Sequence, residues 1–114
     1  MATDASGPPT RRRLLRRRTL LTGILLHGPG RWTLDCSIRD VSEGGAHIRT
    51  PAVVHLARPT VLLAPSADWA FEATVAWQRD RDMGLTLVAA LNLTAPTTDL
   101  ERIVRLLWLE RRAR

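Results

Sequence analysis

Trp32-Thr33-Leu34-Asp35-Cys36-Ser37-Ile38-Arg39-Asp40-Val41-Ser42-Glu43-Gly44-Gly45-Ala46-His47-Ile48-Arg49 is the stretch from which the fold is read. Trp32, Leu34, Cys36 and Ile38 fall on one face, and Thr33, Asp35, Ser37 and Arg39 on the other. A period of two marks a half-buried antiparallel strand. Ser42-Glu43-Gly44-Gly45 is turn chemistry, after which Ala46 and Ile48 alternate with His47 and Arg49 until Pro51 stops the strand. The segment is therefore a hairpin whose turn carries an aspartate and a serine just before two glycines.

Working outward, the same signals recur. Residues 19–26 are β-prone and end at His27-Gly28-Pro29-Gly30, a strong turn. Residues 53–57 are loosely apolar and have no clear period. Thr60 to Ala64 forms a short strand closed by Pro65-Ser66-Ala67-Asp68. Phe71, Ala73, Val75 and Trp77 alternate with Glu72, Thr74, Ala76 and Gln78, and Met83, Leu85 and Leu87 follow a polar turn. Trp32 and Trp77 sit at apolar phases and are read as core. Six short strands joined by turns predict a small antiparallel barrel or sandwich, mainly β.

The C-terminus changes period. Thr98 with Glu101 three residues later fits a capping box. Leu100, Ile103, Val104 and Leu107 then form a helical stripe, with Arg111, Arg112 and Arg114 at the negative pole of the helix dipole. The helix, expected within residues 97–112, packs across the strands, or offers Leu106, Trp108 and Leu109 to a second subunit or partner.

Charge is unevenly spread along the 114 residues. All 17 basic residues are arginine, and six of them lie in Arg11-Arg12-Arg13-Leu14-Leu15-Arg16-Arg17-Arg18. Residues 1–18 carry six arginines and Asp4, for +5; residues 19–114 carry eleven arginines and ten acids, for +1. An anionic partner met at one end of the chain is implied. Residues 1–10 read as a polar tail. A hydrophobic content of 45% argues against wholesale disorder. The lone cysteine, Cys36, excludes an internal disulfide and fits a reducing cytoplasm; its phase reads as a small buried hydrophobe. No apolar run suffices for a membrane span or a secretory signal.

Catalysis has little support. His27, His47 and His55 show no metal-ligand spacing with Cys36 or a carboxylate pair, and each reads as a surface residue. No phosphate loop or nucleophile elbow occurs, and Ser42 has no evident partner base. The chain is read as a non-enzyme without a cofactor or metal.

The arginine run, followed by Asp40-x-Ser42-x-x-Gly45, resembles the pattern of PilZ domains, bacterial receptors for cyclic di-GMP. Asp35 to Ser42, Val75-Ala76-Trp77 and Met83-Gly84-Leu85 extend the likeness over residues 11–90, and the helix is consistent with the family's usual appendage. The resemblance implies a six-stranded antiparallel β-barrel over residues 19–90. It also implies a ligand-binding arm at residues 11–18 and a site made of Arg12, Arg13, Arg16, Arg17, Asp40, Ser42 and Gly45. Arg-x-x-x-Arg is satisfied by both Arg12/Arg16 and Arg13/Arg17; a doubled first arginine, Arg12-Arg13 with Arg17, is slightly favoured.

The chemistry suits that ligand. Guanidinium groups meet guanine O6 and N7 at two points and pair with phosphate. Asp40 can accept from guanine N–H groups, Ser42 offers a short donor and acceptor, and Gly45 permits an unusual backbone conformation and close approach. The expected protein is a cytoplasmic second-messenger receptor acting on a downstream protein partner, with a homo-oligomer possible. The rivals are a ligand-free interaction module and a nucleic-acid binder. The second is disfavoured because no aromatics interleave with the arginines.

Overall fold

The computed structural model describes residues 21–112; the tail and the arginine arm expected at residues 1–10 and 11–18 lie outside them. Six antiparallel strands run β1 (Leu21–His27), β2 (Trp32–Ser42), β3 (Gly45–Arg49), β4 (Thr60–Ala64), β5 (Trp69–Arg79) and β6 (Asp82–Ala90). They close into a barrel in the order β1-β2-β3-β6-β5-β4. One helix, α1 (Asp99–Arg112), follows. Of the two architectures that the strand pattern allows, the chain forms the barrel.

Alternating side chains fill the barrel interior: Leu25, Ile38, Val41, Ile48, Leu62, Phe71, Met83 and Leu85 are buried there. Cys36 joins them, and its thiol is pushed up to about 12, chiefly by burial and secondarily by the charge of Asp35. β4 is buried at all five positions, because both of its faces are covered. Leu62 and Ala64 point into the barrel, while Val61 and Leu63 meet α1. Covering both faces turns an alternating pattern into a continuous apolar run.

That second core is built from Ile24 and Leu26 of β1, Val61 and Leu63 of β4, Ala70 of β5, and Leu93, Val104 and Trp108. Helix packing is therefore against the outside of β1 and β4. Thr98 caps α1, its Oγ1 accepting the Glu101 N–H at 3.1 Å. The Glu101 carboxylate accepts the backbone N–H of Thr97 at 2.9 Å and of Asn92 at 2.8 Å. Those bonds hold Glu101 below the usual carboxylate range, that from Thr97 contributing most. They also staple the helix start to the chain leaving β6. At the far end the Trp108 indole N–H donates to Asp68 Oδ1 at 2.9 Å, and Arg112 lies 4.6 Å from the ring centroid.

Two expectations need correction. Trp32 and Trp77 are 57% and 47% exposed rather than core. Trp32 lies at the first position of β2, where it covers Gly28 and Gly30 of the turn. β5 departs from strict alternation because a register shift between Val75 and Trp77 breaks its phase, and Val75 too is exposed. A bulge inserts one unpaired residue and re-aims its neighbours.

Candidate ligand-binding site

The bulge that matters most is in β2. Ile38 pairs with Ile48 and Asp40 with His47, so Arg39 is the extra residue. Uninterrupted alternation from buried Ile38 would send Asp40 into the barrel. With Arg39 inserted, Val41 is the next buried residue and Asp40 and Ser42 face outward.

Strand pairing then sets three outward rows across β2, β3, β6 and β5. Asp40, His47, Gly84 and Trp77 make the middle row. Ser42, Gly45, Thr86 and Thr74 lie on one side of it, and Ser37, Arg49, Asp82 and Arg79 on the other. In the rows between them, Ile38, Ile48 and Met83 and then Val41, Ala46 and Leu85 are buried, and burial is lost only where the rows reach β5 at Gln78 and Val75. The middle and Ser42 rows enclose a cleft of about 220 Å³ lined by Asp40, Ser42, Gly45, His47, Trp77 and Gly84. Asp40, Ser42 and Gly45, singled out from the sequence, are thus brought together on one surface. Arg12, Arg13, Arg16 and Arg17 lie outside the described residues.

Gly45 does not adopt the unusual backbone conformation allowed for it. The left-handed position is Gly44, at φ 76°. A Cβ on Gly45 would meet Leu85 O at 3.4 Å and Ser42 Oγ at 3.7 Å, which is ordinary contact. Gly45 therefore keeps the cleft floor low, while Gly44 makes the turn, its carbonyl accepting the Leu87 N–H at 2.8 Å.

Trp77 and His47 also line the cleft, where sequence reasoning did not place them. The Trp77 indole lies against Gly84, where any side chain would collide with its ring. A glycine inside a strand signals such an approach, and Met83-Gly84-Leu85 carried that signal. His47 was read as an ordinary surface residue. Its ring is 5.5 Å from that of Trp77, and its Nε2 is 3.0 Å from Asp82 Oδ1. Asp82 also receives Arg49 Nε at 3.2 Å and Nη2 at 3.1 Å, a two-point ion pair. Those bonds, first from Arg49 and then from His47, lower the Asp82 carboxyl to about 2.

A larger hollow of about 550 Å³ lies beside Thr22, Ser66, Asp68, Arg111 and Arg112. Its two arginines already face carboxylates, Arg111 with Asp35 at 3.4 Å and Arg112 with Asp68 at 3.8 Å. In the smaller cleft Asp40 and Ser42 have no side-chain hydrogen-bond partner among the described residues, and Trp77 gives an aromatic wall, so it is the better ligand candidate. Among the described residues no cluster of three or more His, Cys, Asp or Glu side chains could hold a metal ion, and no helix is long and apolar enough to cross a membrane.

Compared with known protein families, residues 10–107 match the PilZ domain. The chain belongs to the PilZ domain family. PilZ domains are binding modules, known for binding cyclic di-GMP. The match spans the barrel and most of α1, and it takes in the arginine run ahead of β1. No curated protein matches this PilZ domain.

Proposed function

We propose that this PilZ domain is a cytoplasmic cyclic di-GMP receptor that relays ligand binding to a protein partner. The observation that carries the reading is the outward row and cleft uniting Asp40, Ser42, Gly45 and Trp77. Asp40 accepts guanine N–H groups, Ser42 bonds ribose or phosphate, and the Trp77 indole offers a purine a stacking face. The cleft volume of about 220 Å³ is below the ~300–1,000 Å³ of pockets that enclose a whole drug-sized ligand. One guanine fits; the remainder of the dinucleotide needs another grip.

The arginine arm supplies it. Leu21, where the described chain begins, pairs with Ile38, two residues from Asp40. Arg17 is four residues before Leu21, a reach of up to ~13 Å for extended chain. Arg13 with Arg17, or Arg12 with Arg16, then closes over phosphate and the guanine O6/N7 edge from the same end of the barrel. No metal or further cofactor is required.

Calorimetry with cyclic di-GMP, with GTP as control, tests the reading. We expect binding to the dinucleotide and a drop of tenfold or more (about 1.5–3 kcal/mol per charged contact) in Arg13→Ala/Arg17→Ala and in Asp40→Ala. Absence of wild-type binding, or affinity unchanged by these substitutions, overturns it.

A second reading is a ligand-free interaction module. It is favoured by Leu106, 68% exposed on the outer face of α1. Under that reading Leu106→Glu abolishes a complex or homodimer and no nucleotide binds.

A further inference from the structure

We infer that His47 is a specificity-determining residue, whose Nδ1 accepts a hydrogen bond from the exocyclic amino group of guanine beside Asp40. The inference rests on the cyclic di-GMP reading above. It adds to that reading a residue outside the Asp-x-Ser-x-x-Gly and arginine motifs.

Placement comes first. His47 is the cross-strand partner of Asp40 and lies in the same outward row. Directly opposed residues hold their Cβ atoms roughly 4.5–5.5 Å apart, close enough for two side chains to grip one base. Both line the same cleft, whose next member along the row is Gly84 under the Trp77 ring.

Orientation comes second. Asp82 is bound at two points by Arg49 and meets His47 Nε2 at 3.0 Å. An ionised carboxylate only accepts, so Nε2 must carry the proton. In the neutral imidazole the acceptor lone pair is then on Nδ1, the hydrogen bond at one ring nitrogen deciding the role of the other. Among the described residues Nδ1 has no hydrogen-bond partner, and the half-exposed ring forms one wall of the cleft. Arg49 and Asp82 thus act as positioning residues: they fix the tautomer and the ring plane without touching the base.

Complementarity comes third. The guanine donor edge has one N–H at N1 and two on the 2-amino group. A carboxylate facing it squarely takes N1–H and the nearer amino hydrogen, leaving the other amino hydrogen unpaired. Nδ1 of His47 meets that hydrogen from the neighbouring strand. Hypoxanthine lacks the amino group and gives His47 nothing to accept. Adenine turns an acceptor, N1, toward Asp40, and is repelled.

The test compares the full chain binding cyclic di-GMP with its binding of the analogue carrying hypoxanthine in place of guanine. We expect the wild type to prefer the guanine ligand. His47→Leu should shrink that preference by about fivefold, the worth of one hydrogen bond, while His47→Asn, which can offer a carbonyl oxygen where Nδ1 stood, retains most of it. Asp82→Asn should also shrink it, by releasing the tautomer. Nitrogen-15 NMR on wild-type protein gives a readout independent of mutant folding: saturation with cyclic di-GMP should shift the Nδ1 resonance of His47 as its lone pair is engaged. Guanine preference unchanged in folded His47→Leu, or an Nδ1 resonance unmoved at saturation, overturns the role of His47 and leaves the receptor reading standing. A wild type that binds neither ligand overturns both.

Discussion

The Trp77 indole fills the space that a methyl group on Gly84 would need. A strand residue is thereby deleted to its backbone so that an aromatic ring can lie against the sheet and form a wall of the cleft. Gly84→Ala should push the indole off the sheet. The expected result is weaker cyclic di-GMP binding, comparable with Trp77→Ala, for which the loss of base stacking is about 1–3 kcal/mol. Titration calorimetry checks both, and ligand quenching of tryptophan fluorescence should vanish in Trp77→Ala while Trp32→Ala keeps it.

Acid should reveal the Arg49–Asp82–His47 cluster. The Asp82 carboxyl lies at about 2 in the folded protein against an ordinary 3.8. A depressed carboxylate contributes stability that is present above the ordinary value and is lost as pH falls through the folded one. Melting temperature should therefore decline between about pH 4 and pH 2. Asp82→Asn should flatten that part of the profile. The ion pair is partly solvated, so salt should weaken the effect.

Cys36 should be inert while the barrel is closed. Its thiol is buried and its pKa is pushed up to about 12, so the reactive thiolate is scarce near neutral pH. A maleimide reagent at pH 7 should label Cys36 only after denaturant is added. Because the unfolded thiol ionises first, native stability should fall as pH rises from about 9 toward 12.

Removal of the helix anchor should be costly. Trp108 is buried against β1 and β4, and its indole N–H is satisfied by Asp68. Trp108→Ala should lower unfolding free energy by about 3–5 kcal/mol, the usual range for a buried aromatic truncated to alanine. Asp68→Ala should cost less, since it removes the acceptor and leaves the packing. Chemical denaturation measures both.

How far the sequence could be read depended on which interactions were local. Strand alternation, the Gly44 turn and the Thr98 cap depend on neighbours a few residues apart, and all are visible in Trp32–Arg49 and Thr98–Glu101. The choice of barrel over sandwich depended on β1 meeting β4 and β3 meeting β6, pairings that no local pattern specifies. Asp40 faces outward, as its motif reading requires, although strict alternation points it inward; the bulge at Arg39 supplies the reason. Trp77 was misassigned because a two-residue period was extended through the register shift at Val75. The contact between His47 and Asp82 was not legible because the two lie 35 residues apart.

Closure of the sheet also limits how this domain can communicate. In the closed ring of described strands every strand already has a neighbour on both sides. A partner of the kind proposed above would therefore find no strand free along its whole length, the edge that backbone-to-backbone strand addition uses. Side chains on the barrel wall and the helix offer it the broader surface. Its specificity is then encoded in residues that can change without disturbing the hydrogen-bonded ring beneath them.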